Sequence, residues 1–216
     1  MKSTHITSEV VNSVLTSVET APPQETSIAH GRRVADYCYL VAELLGLDEK
    51  KSRKLKETAV YHDVGKLLIP RNILDKPGSL SADEYKQIQA HTTNGYSILK
   101  KAKTPILREA ARLALQHHEN IDGSGYPFGL AENDLSIEAK IIRVADTYDA
   151  LTSVRSYRRA KSSQEAMAIL KENAGTQFDV EVIKAFNAVL KERLELDFTQ
   201  EMRIEEEFIH ALSNQD

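Results

Sequence analysis

Apolar residues recur at helical spacing along nearly every extended stretch of this chain, and the β-branched clusters between them are too short to build a sheet. That pattern restricts the fold to an all-α bundle. Valines and a leucine at helical spacing predict a helix from about Ser8 to Glu19, broken at Ala21-Pro22-Pro23. A long helix follows, turning Ile28, Val34, Ala35, Cys38, Val41, Ala42 and Leu45 inward and ending near Gly46. The next is predicted from about Asp48 to Leu67; its first half is basic and its second apolar, so its His62-Asp63 end is the buried one. Pro70 to Gly78 reads as a loop. Ser81-Ala82-Asp83-Glu84 has the form of a capping box and opens a helix containing His91. After Thr104-Pro105 another helix delivers His117 and His118 at its C-terminal end, where a loop rich in glycine takes over from Ile121 to Gly129. Ile137 to Thr152 reads as a buried helix carrying Asp146. A second capping box, Ser162 to Glu165, starts a helix ending near Gly175, and Asp179 caps the last long one.

A chain of 216 residues accommodates one domain with a full hydrophobic core. The expected division is an N-terminal helical extension over 1–24, the domain over 25–195 and a charged tail over 196–216. No apolar run approaches a membrane span, and the first twenty residues interrupt their apolar positions with polar ones, so neither a signal peptide nor an anchor is expected. Cys38 is the single cysteine and sits among apolar and aromatic neighbours, which excludes an intrachain disulfide and favours a buried thiol. A cytoplasmic location is the expectation. The net charge of −4 gives no reason to expect non-specific binding to DNA or RNA. A phosphate-bearing substrate would have to be attracted locally.

Five of the seven histidines stand at positions suited to chemistry: His30, His62, His91, His117 and His118. With Asp63 and Asp146 they make seven potential ligands on five stretches of chain. Imidazole nitrogen mixed with carboxylate oxygen suits Mn, Fe, Ni or Zn better than Mg or Ca. An open site takes three or four protein ligands per ion, so seven fit two ions sharing a carboxylate. On a helix, His62 and Lys66 are four apart and Asp63 and Lys66 three, which places a ligand, a bridging carboxylate and a cation on one face. A surface His-Asp pair beside a solvated lysine is the bland alternative, but here the dipeptide lies inside the apolar run Ala59-Val60-Tyr61 and Val64-Gly65. Taken singly, His30 and His91 fit either a ligand or a satisfied core histidine. Adjacent His117 and His118 diverge by about 100° on a helix and converge only near its end, which the following glycines supply. A buried Asp146 requires a cation, either a metal ion or Arg143, and Asp149 is placed to accept a hydrogen bond from a ligand histidine.

Four segments carry a family resemblance: HDVGKLLIP at 62–70, ILDKPGSLSADEY at 73–85, HHENIDGSGYPFGL at 117–130 and VADTYDALTSVRSY at 144–157. Together they resemble the HD-GYP domain, the bacterial branch of the HD phosphohydrolase superfamily associated with cyclic dinucleotide hydrolysis. The resemblance spans about Glu25 to Leu190, and the double histidine followed by DGSGYP separates this branch from nucleotide triphosphohydrolases and (p)ppGpp hydrolases. It implies an HD-domain bundle of five core helices with flanking N- and C-terminal helices. It also implies that His30, His62, Asp63 and Asp146 hold one divalent transition-metal ion and Asp63, His91, His117 and His118 a second, Fe or Mn first and Ni or Zn after them. By the same resemblance Lys66 is the catalytic lysine, Gly125 and Tyr126 line the substrate site, and Arg155 and Arg158 contact substrate phosphate or guanine.

Two departures bear on this. Family members with three metals carry a glutamate four residues before the first ligand histidine, where this chain has Thr26, with Glu25 one step out of register; two ions follow. Arg155-Ser156-Tyr157-Arg158 also lacks the proline usual after the first arginine, which alters loop rigidity. The implied activity is hydrolysis of cyclic di-GMP to pGpG, with a further cut to GMP left open, by a hydroxide bridging two metals, with Asp63 and Lys66 as catalytic groups. One alternative is 3',3'-cGMP-AMP or another nucleotide as substrate. Another, of a different class, is a cyclic di-GMP sensor or a module docking on GGDEF-domain proteins without turnover. A homodimer is a further expectation.

Overall fold

The computed structural model describes Ser13, Thr16 and residues 25–154 and 159–192. Most of the predicted helix over 8–19, Arg155, Arg158 and the tail over 196–216 lie outside these residues, as do the side chains of 25–28 that bear on the Thr26 reading. The described residues are helical, with isolated β-bridges only. In chain order they form α1 (Glu25–Leu44), α2 (Glu49–Ala59), a 3-10 helix (Val64–Leu68), α3 (Arg71–Leu74), α4 (Ala82–Gln89), α5 (His91–Leu99), α6 (Pro105–Gln116), α7 (Ile137–Thr152), α8 (Ser163–Glu172) and α9 over 180–192.

Local sequence accounts for most boundaries. Helix α1 closes by two backbone bonds, Gly46 N to Glu43 O at 2.9 Å and Leu47 N to Ala42 O at 3.0 Å, the pairing that satisfies terminal carbonyls at a glycine stop. Reciprocal capping boxes open α4 at Ser81 and Glu84 and α8 at Ser162 and Glu165. Aspartates cap two further helices: Asp48 Oδ1 accepts from Lys51 N–H at the start of α2, and Asp179 Oδ1 accepts from Glu181 and Val182 N–H at the start of α9.

Two apolar clusters form the interior. The larger gathers Val34, Cys38 and Val41 of α1, Leu55 and Ala59 of α2, Ile141, Ile142 and Val144 of α7, Leu170 of α8, and Phe178, Val182 and Phe186 towards α9. The smaller joins Val64 to Ile98 and Leu99 of α5 and to Leu107, Ala110, Ala111 and Ala114 of α6. His62 and Asp63 occupy the seam, between Ala59 of one cluster and Val64 of the other.

The structure corrects three predicted elements. Helix α2 stops at Ala59 rather than Leu67. Beyond it the chain winds tightly, with Tyr61 N to Thr58 O and His62 N to Ala59 O both at 3.2 Å, into the 3-10 helix. The cause is tertiary: a Cβ on Gly65 would stand 1.8 Å from His91 O and 2.5 Å from Gly95 N, so this segment lies pressed against α5. Asp63 and Lys66 thereby meet through a 3-10 rather than an α-helical repeat.

His91 does not sit inside the helix opened by Ser81 but begins a new one, after a break at Ala90. Side chains take carbonyls that a continuous helix would use: Thr92 Oγ1 donates to Gln89 O, Thr93 Oγ1 to Ala90 O, and His91 Nδ1 to Ile88 O at 2.6 Å. The loop from Pro70 to Gly78 contains the single turn of α3.

Candidate metal centre

All seven predicted ligands converge, in two groups. Asp63, His91, His117 and His118 offer ligand atoms within 4.8 Å of one another, and so do His30, His62 and Asp146. They come from α1, the turn after α2, the first residue of α5, the end of α6 and the middle of α7. Asp63 stands between the groups: Oδ2 is 3.5 Å from His62 Nε2 and 3.7 Å from His30 Nε2, while Oδ1 is 3.4 Å from His91 Nε2 and 3.7 Å from His117 Nε2. Oδ1 is buried without a hydrogen-bond partner. Lys66 Nζ pairs with Oδ2 at 2.5 Å.

Each of four ring orientations is fixed from behind. His62, His91 and His117 donate Nδ1–H to the carbonyl three residues earlier, Ala59 O at 2.8 Å, Ile88 O at 2.6 Å and Ala114 O at 3.0 Å. His30 donates Nδ1–H to Asp149 Oδ2 at 2.6 Å. Those bonds claim each neutral ring's proton, so Nε2 carries the lone pair. Yet Nε2 of His91 faces Nε2 of His117 at 3.1 Å, and Nε2 of His30 faces that of His62 at 3.3 Å. Two facing lone pairs need a proton or a cation between them. The facing nitrogens, the orphaned Asp63 Oδ1 and the mixed nitrogen and oxygen donors fit divalent ions in both groups.

Electrostatics follow the same division. Burial, reinforced by the neighbouring His117, pushes His91 down to about 4. Burial likewise lowers His117, and His118 well below the usual range. His30 goes the other way, raised to about 9: burial opposes its charge, but hydrogen bonds to Asp146 and Asp149 prevail. Burial also opposes ionisation of Asp63 and Asp146, yet Lys66 and His62 hold the first, and His30 and His62 the second, well below the carboxylate range.

Asp146 takes histidines as its partners, His30 Nε2 at 3.3 Å and His62 Nε2 at 3.7 Å. Arg143 turns instead to the glycine loop, its Nε donating to Asn120 Oδ1 at 3.1 Å. Asn120 Nδ2 continues to Ser124 Oγ at 2.9 Å. Gly125 packs on the backbone after the ligand pair, where a Cβ would meet Asn120 N at 2.4 Å and His118 O at 2.6 Å. Tyr126 stacks on His118, and burial raises its hydroxyl pKa, keeping it protonated.

Sequence reasoning misses two groups. Glu119 is 1% exposed and accepts from Phe128 N and Leu130 N at 2.8 and 3.0 Å, clamping the far end of the loop. Its place directly after His118 is the available signal. Arg33 grips Asp149 and lies one helical turn after His30, a spacing that is legible but carries no motif.

A family model described as HD domain matches residues 18–182. A cyclic di-GMP phosphodiesterase of Thermotoga maritima is 40% identical over 163 residues, which cover 76% of this chain and 44% of that protein. A 3'3'-cGAMP-specific phosphodiesterase 2 of Vibrio cholerae is 38% identical over 176 residues, 82% of this chain and 33% of that protein. The chain thus spans less than half the length of these curated relatives. Among solved structures, an HDG"Y"P protein of Bdellovibrio bacteriovorus superposes with TM-score 0.63 at 24% identity, covering 86% of this chain and 58% of that one. The HD domain of the L. monocytogenes phosphodiesterase PgpH, in complex with cyclic-di-AMP, gives 0.59 at 21% identity, covering 84% and 95%. These two likenesses establish the fold.

Proposed function

The chain belongs to the HD domain family, and from that membership we propose that it is a metal-dependent phosphodiesterase converting cyclic di-GMP to the linear dinucleotide pGpG. The observation that carries the reading is Asp63, whose two oxygens face two separate histidine groups while Lys66 lies against the same carboxylate. His30, His62, Asp63 and Asp146 are read as holders of one ion, and Asp63, His91, His117 and His118 as holders of the other. Iron or manganese is the proposed metal. When bound, such a pair supplies a water of lowered pKa and positive charge against the phosphoryl oxygens.

The chain's own groups do the rest. Lys66 is partly exposed at the mouth of the cluster and brings a further cation to the charge that develops on the phosphoryl group. Tyr126, with a protonated hydroxyl, offers a donor and a ring face beside His118. Gly125 permits the close packing that sets Tyr126 there. The roles given to Arg155 and Arg158 rest on the family resemblance alone. No described helix is long and apolar enough to cross a membrane, and a cytoplasmic setting accords with that. Phe128, 64% exposed at the loop, would serve docking on a GGDEF-domain partner or a second copy of the chain.

A second substrate reading has a specific support, since relatives of similar identity carry names that specify 3'3'-cGAMP. Metal-reconstituted protein incubated with each cyclic dinucleotide, with products separated by chromatography, decides between them. Linear pGpG from cyclic di-GMP, lost together with both ions in Asp63→Asn, is the expected result. Turnover of 3',3'-cGAMP alone would move the assignment to that substrate. Binding of cyclic di-GMP with both ions present and no product under manganese or anaerobic iron would leave a sensor in its place.

A further inference from the structure

The four histidines with fixed rings differ in what fixes them. His62, His91 and His117 each lean on a main-chain carbonyl three residues back, so their orientation comes with the local turn. His30 leans on a side chain of another helix, Asp149 of α7. Its aim depends on a carboxylate that could rotate, and that carboxylate is held. Arg33 donates Nε–H to Asp149 Oδ1 at 2.6 Å and Nη2–H to Oδ2 at 2.9 Å, a two-pronged grip that fixes the carboxylate plane. Ser153 Oγ closes the ring: it donates to Oδ2 at 3.2 Å and accepts from Arg33 Nη2 at 3.0 Å.

We propose that Arg33 is a positioning residue for the ligand group of His30, His62 and Asp146: by fixing Asp149 it aims His30, and so sets that group's affinity for its ion. The proposal rests on the metal-centre reading given above. It deepens that reading by making the two groups unequal: the fixed rings of His91 and His117 rest on main-chain carbonyls alone, whereas in the other group His62 rests on Ala59 O but His30 on a side-chain chain through Asp149 to Arg33. Partners behind a ligand histidine commonly change metal affinity by about 10- to 100-fold when removed. The guanidinium supplies more than charge here, because its fork engages both oxygens at once, whereas lysine would offer a single point charge on a flexible stem.

The site is also suited to a clean test. Arg33 has a side chain 48% exposed, while Asp149 is 3% exposed, so replacing the arginine leaves the apolar core filled. Metal-free wild type, Arg33→Gln and Arg33→Lys would each be titrated with Mn²⁺, following bound ion by electron paramagnetic resonance and folding by circular dichroism. Wild type should take two ions. Arg33→Gln should keep one at wild-type affinity and bind the other about 10- to 100-fold more weakly, with Arg33→Lys closer to Gln than to wild type. In a His118→Ala background, which disables the other group, Arg33→Gln should weaken the ion that remains.

Two ions at unchanged affinity in Arg33→Gln would overturn the proposal while leaving the metal centre standing. Equal weakening of both ions would overturn it too, as would full rescue by lysine. A wild type that binds no ion would overturn the metal-centre reading itself, and the proposal with it.

Discussion

The ring of Tyr126 stacks on the ring of His118, with centroids 4.8 Å apart and planes 26° from parallel. A backbone bond from Tyr126 N to His118 O at 3.2 Å reinforces the pairing and ties the glycine loop to the second ligand group. Aromatic stacking contributes about 0.5–1.5 kcal/mol, equivalent to roughly 2- to 10-fold in an equilibrium. Tyr126→Ala should therefore weaken the ion held by the His118 group by about that factor, and Tyr126→Phe should not. Calorimetric titration of the two variants with Mn²⁺ checks this; equal affinities would detach the loop from the metal centre.

Lys66 separates binding from chemistry. Its ammonium lies against Asp63 Oδ2 and outside the ligand groups, so its removal leaves every ligand in place. If its charge acts mainly on the transition state, Lys66→Ala should lower kcat by about 10²-fold or more with metal content intact. An unchanged kcat with a raised KM would assign it to ground-state binding of the phosphate.

The fold's legibility follows from where each signal resides. Capping boxes at Ser81 and Ser162 and the stop at Gly46 are local chemistry, readable residue by residue. The convergence of five chain segments is readable only through residue type, since histidines buried in apolar runs need partners. What the sequence hides is tertiary in origin. The periodicity after Ala59 is compatible with an α-helix, and the close approach of Gly65 to the backbone at His91 and Gly95, which the tighter winding accompanies, is set by the assembled fold. Similarly, Arg143 is one turn from Asp146 and within its reach by spacing, yet Asn120 claims it from the glycine loop. Glu119 and Arg33 are hidden because their partners, Phe128 N–H and Asp149, are set by the assembled fold.

That hidden contact gives a stability test. A Cβ on Gly65 would lie 1.8 Å from His91 O, and neither atom belongs to a flexible side chain. Gly65→Ala must push the 3-10 helix off α5, opening the seam that holds His62, Asp63 and His91. Overpacking of this kind costs about 1–3 kcal/mol and more where backbone must shift. Gly78→Ala, at an exposed loop glycine with open surroundings, meets no close atom and has only the strain of its positive φ, about 1–3 kcal/mol. Chemical denaturation of both variants should rank Gly65→Ala as the more destabilised; equal midpoints would mean that the close approach does not carry the fold.

His30 and His91 shift in opposite directions, and this gives the metal-free protein a stability optimum in pH. His91 is lowered to about 4 by burial and by His117, so between about 4 and the ordinary value of 6.5 the unfolded chain binds its proton and the folded one does not. Stability from this group is present above 6.5 and is lost as pH falls towards 4. His30 is raised to about 9: burial opposes its charge, and its hydrogen bonds to Asp146 and Asp149 outweigh that burial. Between 6.5 and 9 the folded state holds a proton that the unfolded state has released. Stability from that group is full below 6.5 and is lost as pH rises through 9. Metal-free protein should therefore have its highest Tm near pH 6.5, falling on both sides. A metal ion held by His30 would replace its proton, so on the proposed assignment the alkaline decline should disappear in the metal-loaded protein. Calorimetric scans from about pH 4.5 to about 9.5 with and without Mn²⁺ test the pair of slopes, and an alkaline decline of the same size in both samples would exclude His30 as a ligand.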